Sequence, residues 1–256
     1  MSPGSSTCGV RTADDHVMCW GGLVAGHGEA DTARRPKHIS LNTQTSCFVD
    51  DEGHAGCWAE RFISNQTIVG TEAAPPADVV FDTIDMGEQF GCGLRAGNHM
   101  VACWGGGSFV VDNAPTSGAF VELAVAHSMA CAVDAGRALT CWGPTANTRP
   151  MGVALHGLTG GTNGICGLRD DDTAACWGSS DGINNAPTTL FSDLAVGYDL
   201  ACGVRQADGL LECWGDSETY ASFAPTDVAF KQVGIAADEG GDGGLAVLGK
   251  FVAMRR

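Results

Sequence analysis

The chain has 256 residues, 37 of them glycine, with 17% charged residues and a formal net charge of −16. A surface dominated by carboxylates repels phosphates, which argues against nucleic acid and against an anionic membrane surface, and fits solubility or a basic partner. No apolar run is long enough to cross a bilayer, which argues against membrane insertion.

In chain order, Cys8 follows a short Gly/Ser-rich lead, MSPGSST, which carries neither the basic nor the apolar region of a secretory signal. Cys19-Trp20-Gly21 comes next, and Cys-Trp-Gly recurs at 103–105, 141–143, 176–178 and 213–215, with Cys57-Trp58-Ala59 as a sixth copy whose glycine is replaced. The other six cysteines stand ten or eleven residues upstream, giving the pairs Cys8/Cys19, Cys47/Cys57, Cys92/Cys103, Cys131/Cys141, Cys166/Cys176 and Cys202/Cys213. No cysteine falls outside this pattern, and neither does any of the tryptophans Trp20, Trp58, Trp104, Trp142, Trp177 and Trp214. The chain is a repeat protein.

The unit extends upstream of each first cysteine. Eight residues before it stands Ile39, Ile84, Leu123, Leu158 or Leu194; eleven before it stands Phe81, Phe120, Leu155 or Phe191, with Pro36 in the second unit. Five before it the residue is small (Gly87, Ala126, Gly161, Gly197), Asn42 being the exception. Two after it comes Val10, Val49, Leu94, Val133, Leu168 or Val204. First cysteines are 35 to 45 residues apart, and each unit holds short period-two segments bounded by Gly, Pro, Asn and Asp, which predicts strands. Several short strands per unit of about forty residues predict a propeller blade.

Each cysteine pair is predicted to close a hairpin, with both cysteines at one cross-strand position and the turn absorbing the variation in spacing. The closer, non-hydrogen-bonded class of pair accommodates a disulfide there. Tryptophan follows the second cysteine directly, so it points to the opposite face of the sheet. A propeller blade buries both faces, and both sulfurs and indoles then belong to the core. Hairpins are expected near 8–20, 47–58, 92–104, 131–142, 166–177 and 202–214. A seventh, degenerate one is expected near 245–254, beyond Phe230, Val233 and the Glu239–Gly244 stretch.

The unit Pro76-x4-Phe81-x2-Ile84-x2-Gly87-x4-Cys92-x-Leu94-x8-Cys103-Trp104-Gly105 resembles the repeat of the regulator of chromosome condensation family. Cysteines at both hairpin positions resemble a bacterial branch with extracellular members, nearest in style to a propeller-type β-lactamase inhibitory protein. The resemblance covers about residues 6–254. It implies an all-β, seven-bladed β-propeller filling a single domain, 1–256, with six hairpin disulfides and a degenerate last blade. It also implies protein–protein interaction.

Structural disulfides are the expected state of the twelve cysteines. Buried free thiols and metal ligation are the alternatives, although zinc ligands usually stand two to four residues apart. Paired cysteines suit an oxidising compartment, so an extracellular, periplasmic or cell-surface location is expected, with any signal lying outside this chain. His16, His54 and His99 fall in equivalent hairpins, and a histidine ring there would sense pH. His127 reads as a blade-packing residue. The acidic clusters Asp14-Asp15, Asp50–Glu52 and Asp170–Asp172 read as turn formers, with calcium or a basic partner as the alternative. Asn65-Gln66-Thr67 is a glycosylation acceptor by pattern. No catalytic, cofactor or metal motif appears. The expected function is a secreted or surface-exposed protein-binding module, not an enzyme. A glycan-binding lectin, a propeller hydrolase or lyase, and a small-GTPase regulator are the alternatives.

Overall fold

The cysteine hairpins set the blades. A computed structural model describes residues 6–10, 17–21, 36–41, 45–59, 62–63, 66–67, 74–87, 90–106, 109–216 and 227–235. The first hairpin is β1 (Ser6–Val10) with β2 (Val17–Gly21), and its register sets Cys8 opposite Cys19. Five complete sheets follow the same plan. They are β3 (Pro36–Leu41), β4 (Thr45–Asp50) and β5 (Ala55–Ala59); β8 (Phe81–Met86), β9 (Phe90–Arg95) and β10 (Val101–Gly105); β11 (Phe120–Ala126), β12 (Met129–Asp134) and β13 (Leu139–Trp142); β14 (Leu155–Gly160), β15 (Gly164–Arg169) and β16 (Ala174–Gly178); and β17 (Phe191–Val196), β18 (Leu200–Arg205) and β19 (Leu211–Gly215). Each is an antiparallel meander. A two-residue ladder, β6 (Phe62–Ile63) with β7 (Gln66–Thr67), lies in one connection. The four-residue helices α1 (Phe109–Asp112) and α2 (Asp181–Asn184) lie in two others. The first strands β3, β8, β11, β14 and β17 lie side by side in that order, so they line the axis and the hairpins lie outward, as in a propeller. The hairpin expected at 245–254 lies outside the described residues, as do the side chains of Cys8, Cys19, Trp20 and Trp58.

Within each complete sheet the two cysteines are direct cross-strand partners. The disulfides Cys47–Cys57, Cys92–Cys103, Cys131–Cys141, Cys166–Cys176 and Cys202–Cys213 have Cα atoms 4.0 to 4.1 Å apart. That close spacing belongs to the narrow class of antiparallel pair. Every described cysteine is paired.

The core consists of layers between blades, and each layer repeats one recipe. Cys47 and Val49 of one blade meet Phe81, Ile84 and Trp104 of the next. Cys92 and Leu94 meet Phe120, Leu123 and Trp142. Cys131 and Val133 meet Leu155, Leu158 and Trp177. Cys166 and Leu168 meet Phe191, Leu194 and Trp214. One face of a blade is therefore sulfur and branched aliphatic, and the other is indole. This follows from the alternation of side chains along a strand, which sends Cys and Trp to opposite sides.

The bulky and aliphatic residues of the first strand stand three apart, yet both enter the same layer. A regular strand would place them on opposite faces. The register between first and second strand shifts between Pro36 and His38, Phe81 and Thr83, Phe120 and Glu122, His156 and Thr159, and Phe191 and Asp193. This β-bulge adds one residue and returns the second apolar side chain to the core face.

Two backbone devices join the blades. At the hairpin tip of each complete sheet a residue with positive φ turns its carbonyl toward the next blade: Gly53 (86°), His99 (55°), Arg137 (63°), Asp172 (61°) and Gly209 (73°). Those carbonyls accept the N–H of Phe81, Phe120, Leu155, Phe191 and Phe230 at 2.8, 2.9, 3.2, 2.9 and 2.7 Å. Near the axis, His127 N–H donates to the Thr162 carbonyl at 3.0 Å and Thr162 N–H to that of Gly197 at 3.1 Å.

The glycine of Cys-Trp-Gly has its own reason. Gly178 has φ 149°, and a Cβ there would stand 2.3 Å from the Asn163 carbonyl oxygen. Gly97 also has positive φ, 84°, but open space around it. Gly178→Ala is expected to cost about 3 kcal/mol or more through strain and collision, and Gly97→Ala only about 1 kcal/mol from its backbone. Urea unfolding of both variants measures the difference; equal losses would refute the close-approach explanation.

Candidate partner-binding faces

A meander sends its two kinds of turn to opposite ends of the blade. The turns after the first strands, such as 127–128, 161–163 and 197–199, collect at one end of the propeller. The hairpin tips at 51–54, 96–100, 135–138, 170–173 and 206–210 collect at the other. Isolated bridges from His54 to Val80, Ala138 to Ala154 and Thr173 to Leu190 bring the lead of each following blade to the tip end as well.

The tip end is built by side chains that stabilise their own turns. Asp50 Oδ1 accepts the N–H of Glu52 at 3.1 Å and of His54 at 2.7 Å. Asp134 Oδ1 accepts those of Gly136 and Ala138 at 2.8 and 3.0 Å. Asp171 Oδ1 accepts the N–H and hydroxyl of Thr173, and these bonds hold its carboxyl below the usual carboxylate range. Arg205 bonds both oxygens of Asp208 and lowers it likewise. Turn formation thus employs Asp50 and Asp171 of the acidic clusters noted in the sequence. Asp14-Asp15 lies outside the described residues.

Three histidines at this end stand beside carboxylates. His99 Nδ1 is 3.2 Å from Asp82, His54 Nδ1 is 3.5 Å from Glu52, and His156 Nε2 is 3.7 Å from Asp172. The pairs His99/Asp82 and Asp172/His156 occupy the same two repeat positions with the residues exchanged. Of the histidines expected in a ring, His54 and His99 share this end, and His16 lies outside the described residues. His127 differs from the packing position read for it: its side chain is exposed at the opposite end, and its backbone joins the blades.

The ends differ in where the basic residues stand, although the tip end also carries the turn carboxylates. Among the described residues, the basic side chains are Lys37, Arg95, Arg137, Arg149, Arg169, Arg205 and Lys231, and all of them belong to the tip end. Arg95, Arg169 and Arg205 close second strands. Lys37 opens a first strand, and Lys231 follows Phe230, which is held by the Gly209 carbonyl. The opposite end carries Asp181, Asp199 and Asp216. There Asn163 Nδ2 donates to Asp199 at 2.7 Å, and Ser180 Oγ donates to Asp216 at 2.7 Å, each across a blade junction. The sequence held part of this distribution: Arg95, Arg169 and Arg205 each stand three residues after a first cysteine, a place taken by Asp50 and Asp134 in the other two complete sheets.

Polar side chains also cross the junctions near the axis. His38 Nε2 donates to the Ile84 carbonyl at 2.8 Å, and burial lowers its pKa. Glu122 Oε2 accepts the Leu158 N–H at 2.9 Å, and Asp193 Oδ2 the Val233 N–H at 2.7 Å. These three occupy one repeat position, directly before the core aliphatic residue. Asp85 joins three blades: Oδ1 accepts the Ser40 hydroxyl at 2.8 Å and the Met86 N–H at 3.0 Å, and Oδ2 accepts the Val125 N–H at 2.7 Å. Burial outweighs these bonds and pushes its carboxyl up to about 6. Among the described residues no group of His, Cys, Asp and Glu is arranged to hold a metal ion, and no helix is long and apolar enough to cross a membrane.

No family model matches the chain. Over 56 residues, 22% of its length, it is 36% identical to the serine/threonine-protein kinase-like protein CCR4 of Arabidopsis thaliana, a stretch that is 7% of that protein. Its fold is similar to the CRINKLY WD40 ectodomain of the Arabidopsis thaliana receptor kinase ACR4, with a TM-score of 0.76 and 21% identity over 93% of this chain and 86% of that one. The ectodomain of the Physcomitrella patens receptor kinase CR4 gives 0.74 and 21% over 92% and 65% of the two chains. Prp20p from Saccharomyces cerevisiae, also called yeast RCC1, gives 0.67 and 14% over 94% and 79%. The fold is therefore an RCC1-like β-propeller, as the repeat implied.

The carboxyl of Asp85 sets a sign for the pH dependence of stability. Its folded value, about 6, lies above its ordinary 3.8. The folded chain binds the extra proton between those values, so this contribution is full below the lower one and is lost as pH rises through the higher. A shift of that size corresponds to about 3 kcal/mol. Asp85→Asn is expected to remove this slope. The difference between wild-type and variant stabilities, from urea unfolding at about pH 4 and about pH 7, reads it directly; a difference independent of pH would overturn the assignment.

Proposed function

We propose that the chain is a protein-binding propeller, secreted or exposed on a cell surface, that holds a protein partner on one of its two ends. The observation that carries this reading is the disulfide-locked propeller itself, of the fold used by two receptor-kinase ectodomains. Prp20p, of the same fold, is described with binding properties to Gsp1p and histones. The physical argument is pre-organisation. Turns held by their own aspartates, on hairpins closed by disulfides, lose little entropy when a partner docks. A single seven-bladed ring over 1–256 is part of the proposal. The role is binding, not catalysis.

A glycan lectin would stack sugars on exposed aromatic rings. The indoles of Trp104, Trp142 and Trp177 are at most 6% exposed, committed instead to the layers between blades, and the exposed aromatic rings among the described residues are Phe109 and Tyr198.

Two measurements test the reading. Alkylation of native, freshly purified protein under denaturing, non-reducing conditions is expected to add no mass, as an oxidising compartment requires; twelve labels would move the protein to a reducing one. Cross-linked affinity capture with the full chain, from culture medium and from intact cell surfaces, is expected to retrieve a protein. Retrieval of none from either source would count against a binding role.

A further inference from the structure

The tip end carries a cleft of about 340 Å³ between the β12–β13 hairpin and the connection into β14. Its walls include Arg137, Arg149, Leu139, Pro150 and Met151. Its volume suits one or two amino-acid side chains, at the small end of ligand sites. No acidic residue lines it. Arg137 gives one guanidinium nitrogen to Asp170 at the margin, at 2.5 Å. Arg149 gives one to the Ala146 carbonyl at 3.0 Å and makes no ion pair among the described residues. Each guanidinium has five N–H donors in a planar fork that matches a carboxylate, and one bond leaves most of them available.

The apolar wall is equally unusual for a water-facing position. Met151 is 76% exposed. Val80, Val121, Leu190 and Val228, all exposed, belong to the same end, where they adjoin the starts of first strands. Methionine and arginine are enriched in protein interfaces, and methionine adapts its shape to what packs on it. Two independent features thus coincide in one cleft: two guanidinium groups in its lining, only that of Arg137 ion-paired among the described residues, and an exposed flexible apolar side chain. At physiological ionic strength charges more than about 8 Å away are largely screened, so the groups around the cleft set what it attracts: Arg149 and Arg137 in its wall, with Asp170 and Asp134 at its margin.

We propose that this cleft is the anchor point of the partner-binding end, and that it takes an acidic peptide segment of the partner protein. A carboxylate engages Arg137 and Arg149, and an adjacent aliphatic or aromatic side chain packs on Met151, Pro150 and Leu139. The proposal rests on the reading of the chain as a protein-binding module and adds the end used and the chemistry recognised.

The test is fluorescence anisotropy with the full chain and a labelled heptapeptide of alternating glutamate and leucine, against the same peptide with glutamine for glutamate. The acidic peptide is expected to bind about tenfold more tightly or better. Arg149→Gln and Arg137→Asn are each expected to weaken it by about tenfold; asparagine is chosen because it tolerates the positive φ of position 137. Tyr198→Ala, at the opposite end, is expected to change nothing. Equal binding of the two peptides, no binding of either, or full affinity in Arg149→Gln would overturn the proposal, and the peptide comparison stands even if a variant misfolds. A captured partner that is lost with Tyr198→Ala and kept with Arg149→Gln would also overturn it while leaving the binding role intact. Failure to capture any partner strikes the binding role instead.

Discussion

A disulfide of one blade packed against the indole of the next is the contact on which this molecule depends. The covalent bond is the smaller part of it. Each hairpin disulfide closes a short loop and contributes at most about 3 kcal/mol on the chain-entropy model. A buried indole removes about 200 Å² from water, an upper estimate of about 5 kcal/mol at the usual coefficient. The sulfurs therefore serve chiefly as apolar surface and as register pins, and the indole contributes more to holding blades together. Trp177, with 2% exposure, sits in the layer that Cys131 and Cys141 face from the preceding blade.

Much of this was legible in the sequence. The cysteine spacing located the hairpins, and the Cys-Trp dipeptide located two buried faces, because alternation along a strand is strict. Two features were not legible. The three-residue step from Phe81 to Ile84 contradicts a period of two, and only the pairing with β9 shows that a bulge reconciles them. The clasp from hairpin tip to next blade is made by backbone at Gly53, His99, Arg137, Asp172 and Gly209, residues with nothing chemical in common. A backbone carbonyl leaves no residue-type signature, so no pattern marked these positions.

The functional ends were harder to read for a geometric reason. A charge at one end of a blade becomes part of a surface only when the strand directions of every blade are known. Arg95, Arg169 and Arg205 gave a repeated hint, whereas Arg149 lies in a connection outside the repeat, and only the fold brings it to Arg137. The same geometry separates two kinds of carboxylate. Those at the tips, such as Asp171, accept bonds in water and ionise easily. Asp85 accepts bonds from three blades at the junctions near the axis, where burial outweighs those bonds and raises its carboxyl to about 6.

The two-faced blade has a consequence for how such a chain changes over evolutionary time. Every junction described is built from the same pair of unlike faces, so a blade copied in tandem finds a matching neighbour on both sides. Its contribution is then close to a nearest-neighbour sum. Local chemistry places no limit on the count; only the wedge angle between blades, which closes the circle, does. Gain or loss of a whole unit is thus chemically silent at each seam, while a shift of one residue within a strand exchanges sulfur for indole and ruins two seams at once.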